Sequence, residues 1–230
     1  ILALGGEIAG EEYLSLGSRE VESVVQQIVK AKPAAILNTI NGDSNVPFYK
    51  EFANQGLRAE DAPIMAFSVA EDELRGMDTS ALVGHLAAWN YYQSVDTPQN
   101  KQFVANFKAY CKKNNLPDGD KRVTDDPIEA AYFGVYIWKQ AVEKAGSSEV
   151  DKVRKAVYGS KFLAPGGEIM MDAANHHTYR PVLIGEILAD GQFKVVSRSK
   201  GLVKPEPWSE YTNPDKGCDW VGHQGTYQKA

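Results

Sequence analysis

An α/β fold built on a parallel sheet is expected for this chain, on three observations. Apolar runs alternate with helix-period stretches at short intervals from Ser18 to Phe67, the order that right-handed strand–helix–strand crossovers produce. Two successive apolar runs, Ala34-Ala35-Ile36-Leu37 and Pro63-Ile64-Met65-Ala66-Phe67, break abruptly into small polar residues. From Gly166 onward the character changes to strands, with Asp190-Gly191 as a two-residue hairpin turn.

The first helix is expected to be capped by Ser18, with Val21, Val24, Val25, Ile28 and Val29 forming one apolar stripe and Pro33 following its end. A second helix starts near Pro47, buries Phe48 and Phe52 and stops at Gly56. Leu86 to Ser94 reads as an aromatic strand, after which Thr97-Pro98 opens a helix with buried Phe103, Phe107 and Tyr110. Asp126-Pro127-Ile128-Glu129 has capping-box spacing. The helix it opens, with Ala130, Ala131, Tyr132, Val135, Trp138 and Val142, is apolar enough to pack deeply. Ser148 is expected to cap a short helix carrying Val153 and Val157. Strands then run over Ile169-Met171, Tyr179-Leu188 and Phe193-Val196, and the tail from Leu202 lacks any period and reads as an extended strap.

The bulk properties exclude several function classes. With 230 residues, 43% of them hydrophobic and 24% charged, the chain can bury an ordinary core. Its net charge of -5 opposes a general nucleic-acid surface, which needs clustered Lys and Arg. No run approaches the ~20 apolar residues of a transmembrane helix. Cys111 and Cys218 are too few for a zinc site or a disulfide framework. Two inert cysteines are expected, one disulfide being the alternative. Ile1-Leu2-Ala3-Leu4-Gly5-Gly6 resembles the last turn of a helix with a left-handed cap, so the chain reads as beginning inside a larger protein.

The chemistry points to binding. No Gly-x-Ser-x-Gly elbow is present, and Ser68, at a strand end, has no His paired with it. His176-His177 fits a loop better than a metal site, because adjacent residues of an extended segment point apart; His85 and His223 stand alone. No glycine-rich nucleotide loop occurs, and no cofactor is expected. Glu71-Asp72-Glu73 and Asp125-Asp126 read first as helix-start acids. What remains is Asn38-Thr39-Ile40-Asn41-Gly42-Asp43-Ser44-Asn45, a loop of amides, hydroxyls and one carboxylate at a sheet's carboxyl edge, where open α/β sheets bind ligands. Such groups suit a small neutral polar molecule.

The chain resembles the substrate-binding proteins of urea and short-chain amide ABC transporters, with a type I periplasmic-binding fold. The residues that carry the resemblance are Gly10-Glu11-Glu12-Tyr13, Leu16-Gly17-Ser18, Asn38 to Asn45, Phe67-Ser68-Val69-Ala70-Glu71, Gly84 to Tyr91, Arg122 to Tyr132, Asn175-His176-His177 and Cys218-Asp219-Trp220. The resemblance implies two lobes closing over a ligand. Residues 1–88 would form the second lobe and 89–165 a hinge crossing with helices of the first. Residues 166–200 would return to the second lobe, and 201–230 would be an extended tail. It also implies a periplasmic or lipid-anchored extracytoplasmic location, membrane permease subunits as partners, and no enzymatic step. In related branched-chain amino-acid binders these two strand ends offer a tyrosine and a glutamate; here Asn41 and Ser68 stand at those places. The implied ligand contacts are Asn41, Asp43 and Ser68, with Glu71 and Trp89 as weaker ones. A cytoplasmic amide sensor and a branched-chain amino-acid binder are the alternatives.

Overall fold

The computed structural model describes residues 1–207, 209 and 211. Its first half alternates as expected: α1 (Glu22–Ala31), β1 (Ile36–Asn38), α2 (Asn45–Asn54), β2 (Ile64–Ala66), a four-residue α3 (Glu71–Leu74) and β3 (Leu86–Trp89). Then follow α4 (Pro98–Lys113), α5 (Asp126–Ala145) and α6 (Val150–Ala156). The remaining strands are β4 (Lys161–Ala164), β5 (Gly167–Met171), β6 (Thr178–Tyr179), β7 (Leu183–Ile187) and β8 (Phe193–Arg198).

Among the described residues, eight strands make two sheets, in the orders β1-β2-β3-β7-β8 and β4-β5-β6. The larger sheet is mixed rather than wholly parallel: β1, β2 and β3 run parallel, while β7 and β8 add antiparallel. Of the strands after Gly166, only β7 and β8 join it. β5 and β6 pair with β4, a strand the short Lys161-Phe162-Leu163-Ala164 run did not announce. Their apolar face is satisfied locally, since Ala164 and Ile169 pack on Phe133 and Ile137 of α5. The other core lies on the larger sheet, where Ile64, Ala66, Ala87, Leu183, Ile187 and Phe193 meet Val25 of α1 and Phe48, Tyr49 and Phe52 of α2. We call these the sheet unit and the helical unit. The chain passes between them at Asn90–Thr97 and again at Arg180–Val182.

Several local expectations are corrected. Ser18 does not cap α1: its hydroxyl accepts from the Glu20 N–H, and the cap position, Val21, has no side-chain acceptor. Ser148 likewise yields to Glu149 at the cap of α6, where the Ser147 hydroxyl accepts from the Glu149 N–H. Asp125 caps α5, accepting from the Ile128 N–H at 2.9 Å. Asp126, expected in that role, is the first helical residue and bonds elsewhere. The aromatic strand stops at Trp89, because Asn90 donates both its N–H and its side-chain amide across the crossing. Tyr110 is exposed. The hairpin turn spans three residues, with Leu188 N–H on Gln192 O, Gly191 N–H on Leu188 O and Gly191 at a φ of 74°, the geometry of a type I turn closed by a left-handed residue. The first residues form one 3-10 turn, Leu2–Leu4, with Gly5 as its left-handed cap.

The largest departure is α5. Its buried stripe is Phe133, Ile137 and Ala141, whereas Val135 is 64% and Trp138 55% exposed. Apolar residues surround the helix, but β4, α4, α6 and the crossing residues cover only part of it, and Val135 and Trp138 stay outside that cover. Thr97, by contrast, caps α4 as expected, accepting from the Asn100 N–H at 3.0 Å. The tail's described part runs past the second crossing, where the Val203 N–H bonds Arg180 O at 2.8 Å. Cys218, Cys218-Asp219-Trp220, His223 and the rest of the tail lie outside the described residues. Cys111 is buried with a free thiol.

Candidate functional site

The parallel register of β1 and β2, with Asn38 opposite Ala66, brings two loops out side by side at the carboxyl edge of the sheet unit. The Phe67 N–H donates to Asn38 O at 3.0 Å, extending the pairing to the mouth of both loops. The first loop is shaped by two buried asparagines. Asn38 Nδ2 donates to Asn45 Oδ1 at 3.0 Å, and Asn38 Oδ1 accepts from the Ile40 N–H at 2.8 Å. Asn45 Nδ2 donates to Ile40 O at 2.8 Å and to Gly42 O at 3.2 Å. A short amide has both donors and an acceptor, so one residue pair makes four hydrogen bonds, three of them to the backbone of the turn.

That scaffold holds Asn41 and Asp43 outward. Asn41 is exposed and donates from its amide to Thr39 O at 3.3 Å. Asp43 is exposed in the 3-10 turn Gly42–Ser44. Ser68, at the head of the second loop, is half-buried. Trp89 is half-buried, but its indole N–H donates to Val69 O at 2.8 Å. It fastens the second loop to β3 and offers a ligand only its ring. Asn41, Asp43 and Ser68 therefore occupy neighbouring loops on one edge, with Trp89 bracing them from behind.

Glu71 stands apart from this set. It is fully buried, its Oε1 accepts the Gln93 N–H at 2.6 Å, and burial pushes its carboxyl up to about 8. It supports the first crossing rather than facing solvent. The edge is open: one cavity of about 370 Å³ lies between α4 and β4, and a groove of about 520 Å³ lies between α1 and α2, and none of the five residues lines either.

Behind the edge, one carboxylate fastens both crossings. Asp126 Oδ2 accepts from the Asn90 N–H at 2.9 Å, and its Oδ1 accepts from Arg180 Nη1 at 3.0 Å. Arg180 Nη2 donates to Glu129 Oε2 at 2.6 Å, Glu129 Oε1 accepts from the Gly166 N–H at 2.8 Å, and Asn90 Nδ2 donates to Pro181 O at 2.7 Å. The guanidinium also lies 5.1 Å from the Phe133 ring centroid. Burial pushes Glu129 up to about 7 despite Arg180. Asn38, Asn45, Asn90 and Arg180 were not singled out as site residues by the sequence; the asparagine spacing in Asn38 to Asn45 was the one visible signal.

The described histidines are engaged in packing and hydrogen bonds. His85 Nδ1 accepts from the Ile64 N–H at 3.1 Å, and burial pushes its imidazole down to about 4. His176 stacks on Tyr158 with centroids 4.2 Å apart. Among the described residues, no three His, Cys, Asp or Glu are grouped to hold a metal ion.

The asparagine scaffold has a measurable worth. Asn45→Ala strips partners from the buried Asn38 Nδ2 and from the less buried Ile40 O and Gly42 O, so it is expected to cost about 1–3 kcal/mol, read by guanidinium denaturation. Asn41→Ala, whose amide is exposed, is expected to change stability by less than about 0.5 kcal/mol.

Residues 1–214 match the model of the periplasmic binding protein domain. Among curated proteins, the Leu/Ile/Val-binding protein homolog 6 of Brucella melitensis is 22% identical over 187 residues, 80% of this chain and 46% of that protein. Limonene hydroxylase of Geobacillus stearothermophilus is 30% identical over 131 residues, 57% of this chain and 23% of that protein. The chain thus spans less than half the length of these relatives. Among solved structures, a solute-binding protein of an ABC transporter from Rhodopseudomonas palustris HaA2, in complex with p-hydroxybenzoic acid, superposes with a TM-score of 0.75 at 24% identity, over 88% of this chain and 55% of that one. A leucine-binding protein from Thermotoga maritima does so with a TM-score of 0.70 at 17% identity, over 86% and 52%. The fold is the α/β type I periplasmic-binding fold, and the chain belongs to the periplasmic binding protein domain family.

Proposed function

We propose that the chain is part of the solute-binding component of an ABC transporter, and that its solute is a small neutral amide such as urea. The observation that carries the ligand class is the chemistry of the carboxyl edge. Asn41 and Ser68 present an amide and a hydroxyl there, Asp43 adds one exposed acceptor, and Glu71 is buried away from the edge, with its carboxyl pushed up to about 8. An α-amino acid needs a fixed carboxylate for its ammonium, and burying that ammonium poorly paired costs several kcal/mol. Urea has no charge to compensate, and its four N–H donors and carbonyl match side chains that both donate and accept.

Residues 1–88 with the β7–β8 hairpin would form one wall of the clamshell. The exposed Tyr132, Val135 and Trp138 of α5 would meet the lobe that supplies the other. Capture then works without chemistry: contacts to both walls favour the closed state, and that state docks on permease subunits outside the cytoplasm. No described helix is long and apolar enough to cross a membrane.

Isothermal titration of the chain joined to its completing lobe tests the reading, with urea, acetamide, leucine and p-hydroxybenzoate as titrants. Saturable heat from urea or acetamide alone is expected, weakened about tenfold or more by Ser68→Ala, which removes one hydroxyl partner of a buried ligand. Saturation by leucine or p-hydroxybenzoate with none by urea would refute the neutral-amide assignment.

A further inference from the structure

The sheet unit and the helical unit meet across the first crossing with acids on both sides. Glu71, the first residue of α3, turns Oε1 to the Gln93 N–H, while its Oε2 is buried without a partner. From the start of α5, Asp125 and Asp126 act on it as like charges; from α3 itself, Asp72 and Glu73 act on Asp125. The crossing contributes the phenols of Tyr91 and Tyr92, both fully buried. Arg180 is engaged by Asp126 and Glu129, and Arg75, after α3, is paired at the surface with Asp72 and Asp118. No described cation is therefore paired with Glu71.

Gln93 makes this contact a junction. Its N–H holds Glu71, its Oε1 accepts the Thr124 N–H at 2.9 Å just before α5, and its Nε2 donates to Gln192 Oε1 at 2.8 Å in the β7–β8 hairpin. One residue of the crossing thus reads the position of α3, of α5 and of the hairpin together.

We propose that Glu71 is a proton-operated lock between the two units: protonated, it lets α3, the crossing and α5 pack closely, and ionised it loosens that contact. A neutral carboxyl leaves Oε2 as one weakly unsatisfied group, whereas the anion places an unpaired charge in a dry contact facing two further acids. The direction follows from linkage. Burial raises Glu71 to about 8 and Asp125 to about 6 in the folded protein. The stabilisation is complete below the ordinary glutamate range and is lost as pH rises through the folded value. This lock does not depend on the identity of the solute.

The test is a carboxyl-carbon NMR titration of the full chain, combined with hydrogen exchange of the Gln93 amide at pH 6 and 9, corrected for intrinsic exchange. A Glu71 midpoint above about pH 6, well over the ordinary value of about 4.3, and a Gln93 protection factor that falls about tenfold or more by pH 9 are expected. Glu71→Gln, a neutral isostere, should retain protection at both pH values. A midpoint below about pH 6, or an equal loss of protection in Glu71→Gln, overturns the proposal. Should that variant not fold, the titration of the unmodified chain decides alone.

Discussion

Arg180→Ala is expected to lower the unfolding free energy by about 3–5 kcal/mol at pH 7.5, because it strands Asp126 and Glu129 in the interior without their cation. Only 11% of the Arg180 side chain reaches solvent, and the two carboxylates reach less, so water cannot replace the guanidinium cheaply. For a domain whose whole stability is on the order of 5–15 kcal/mol, this is a large share. The loss has a pH signature. Glu129 already titrates near 7, and removing the cation that favours its ionised form raises it further. The deficit should therefore shrink as pH falls from 7.5 to 5.5 and the carboxyl takes a proton. Denaturant midpoints at the two pH values measure it, with Arg180→Lys as a control that keeps the charge and loses the two-pronged geometry.

Gly185→Val is expected to prevent stable folding at 37 °C, and Gly185→Ala to cost about 2–4 kcal/mol, by crowding rather than by backbone strain. A Cβ at that position would lie 2.6 Å from Tyr92 Cζ, 2.9 Å from Tyr92 Cε2 and 3.0 Å from Phe193 Cδ1. Neither ring can retreat. Their centroids are 4.6 Å apart, the Tyr92 hydroxyl donates to Ala87 O at 2.6 Å, and it accepts from the Gly185 N–H at 3.1 Å. The register also shifts here, Ile184 facing Ser197 and Gly185 facing Val195, so the extra residue, Val196, lies on β8 opposite this point. Thermal unfolding of Gly185→Ala and of the double variant Gly185→Ala/Tyr92→Phe checks the cause. Phe keeps the ring but frees it from its two hydrogen bonds, so partial recovery is expected in the double variant.

What could be read from the amino acids follows the range of the interactions. Thr97-Pro98 announces α4 because a cap is made within three residues, and the stripe from Val21 to Ile28 announces α1 because its period is local. The spacing of Asp126 to Glu129 points to Asp126 as the cap of α5, yet Asp125 takes that place. The choice is made by Asn90 and Arg180, which lie 36 and 54 residues away from Asp126. The strand Lys161–Ala164 escapes notice because it has one buried residue in four and Pro165 at its end. At the candidate site, the polar strand ends were visible, and Asn41, Asp43 and Ser68 do lie on neighbouring loops. Glu71 was grouped with them from its place in the chain, but its role comes from the peptide of Gln93, a contact between segments that composition cannot foresee. The depth of α5 is hidden from the sequence for a related reason: apolar residues on every face of a helix show how much surface there is to cover, not whether the cover is present.

The single carboxylate of Asp126 that holds both Asn90 and Arg180 has a mechanical consequence. Two struts pinned at one point cannot slide past each other without breaking both bonds, so the motion left to the helical unit is a swing about an axis near that point. Displacement in a swing grows with distance from the axis. Gly166, held through Glu129, should hardly move, and contacts farther from the pin should part before those beside it.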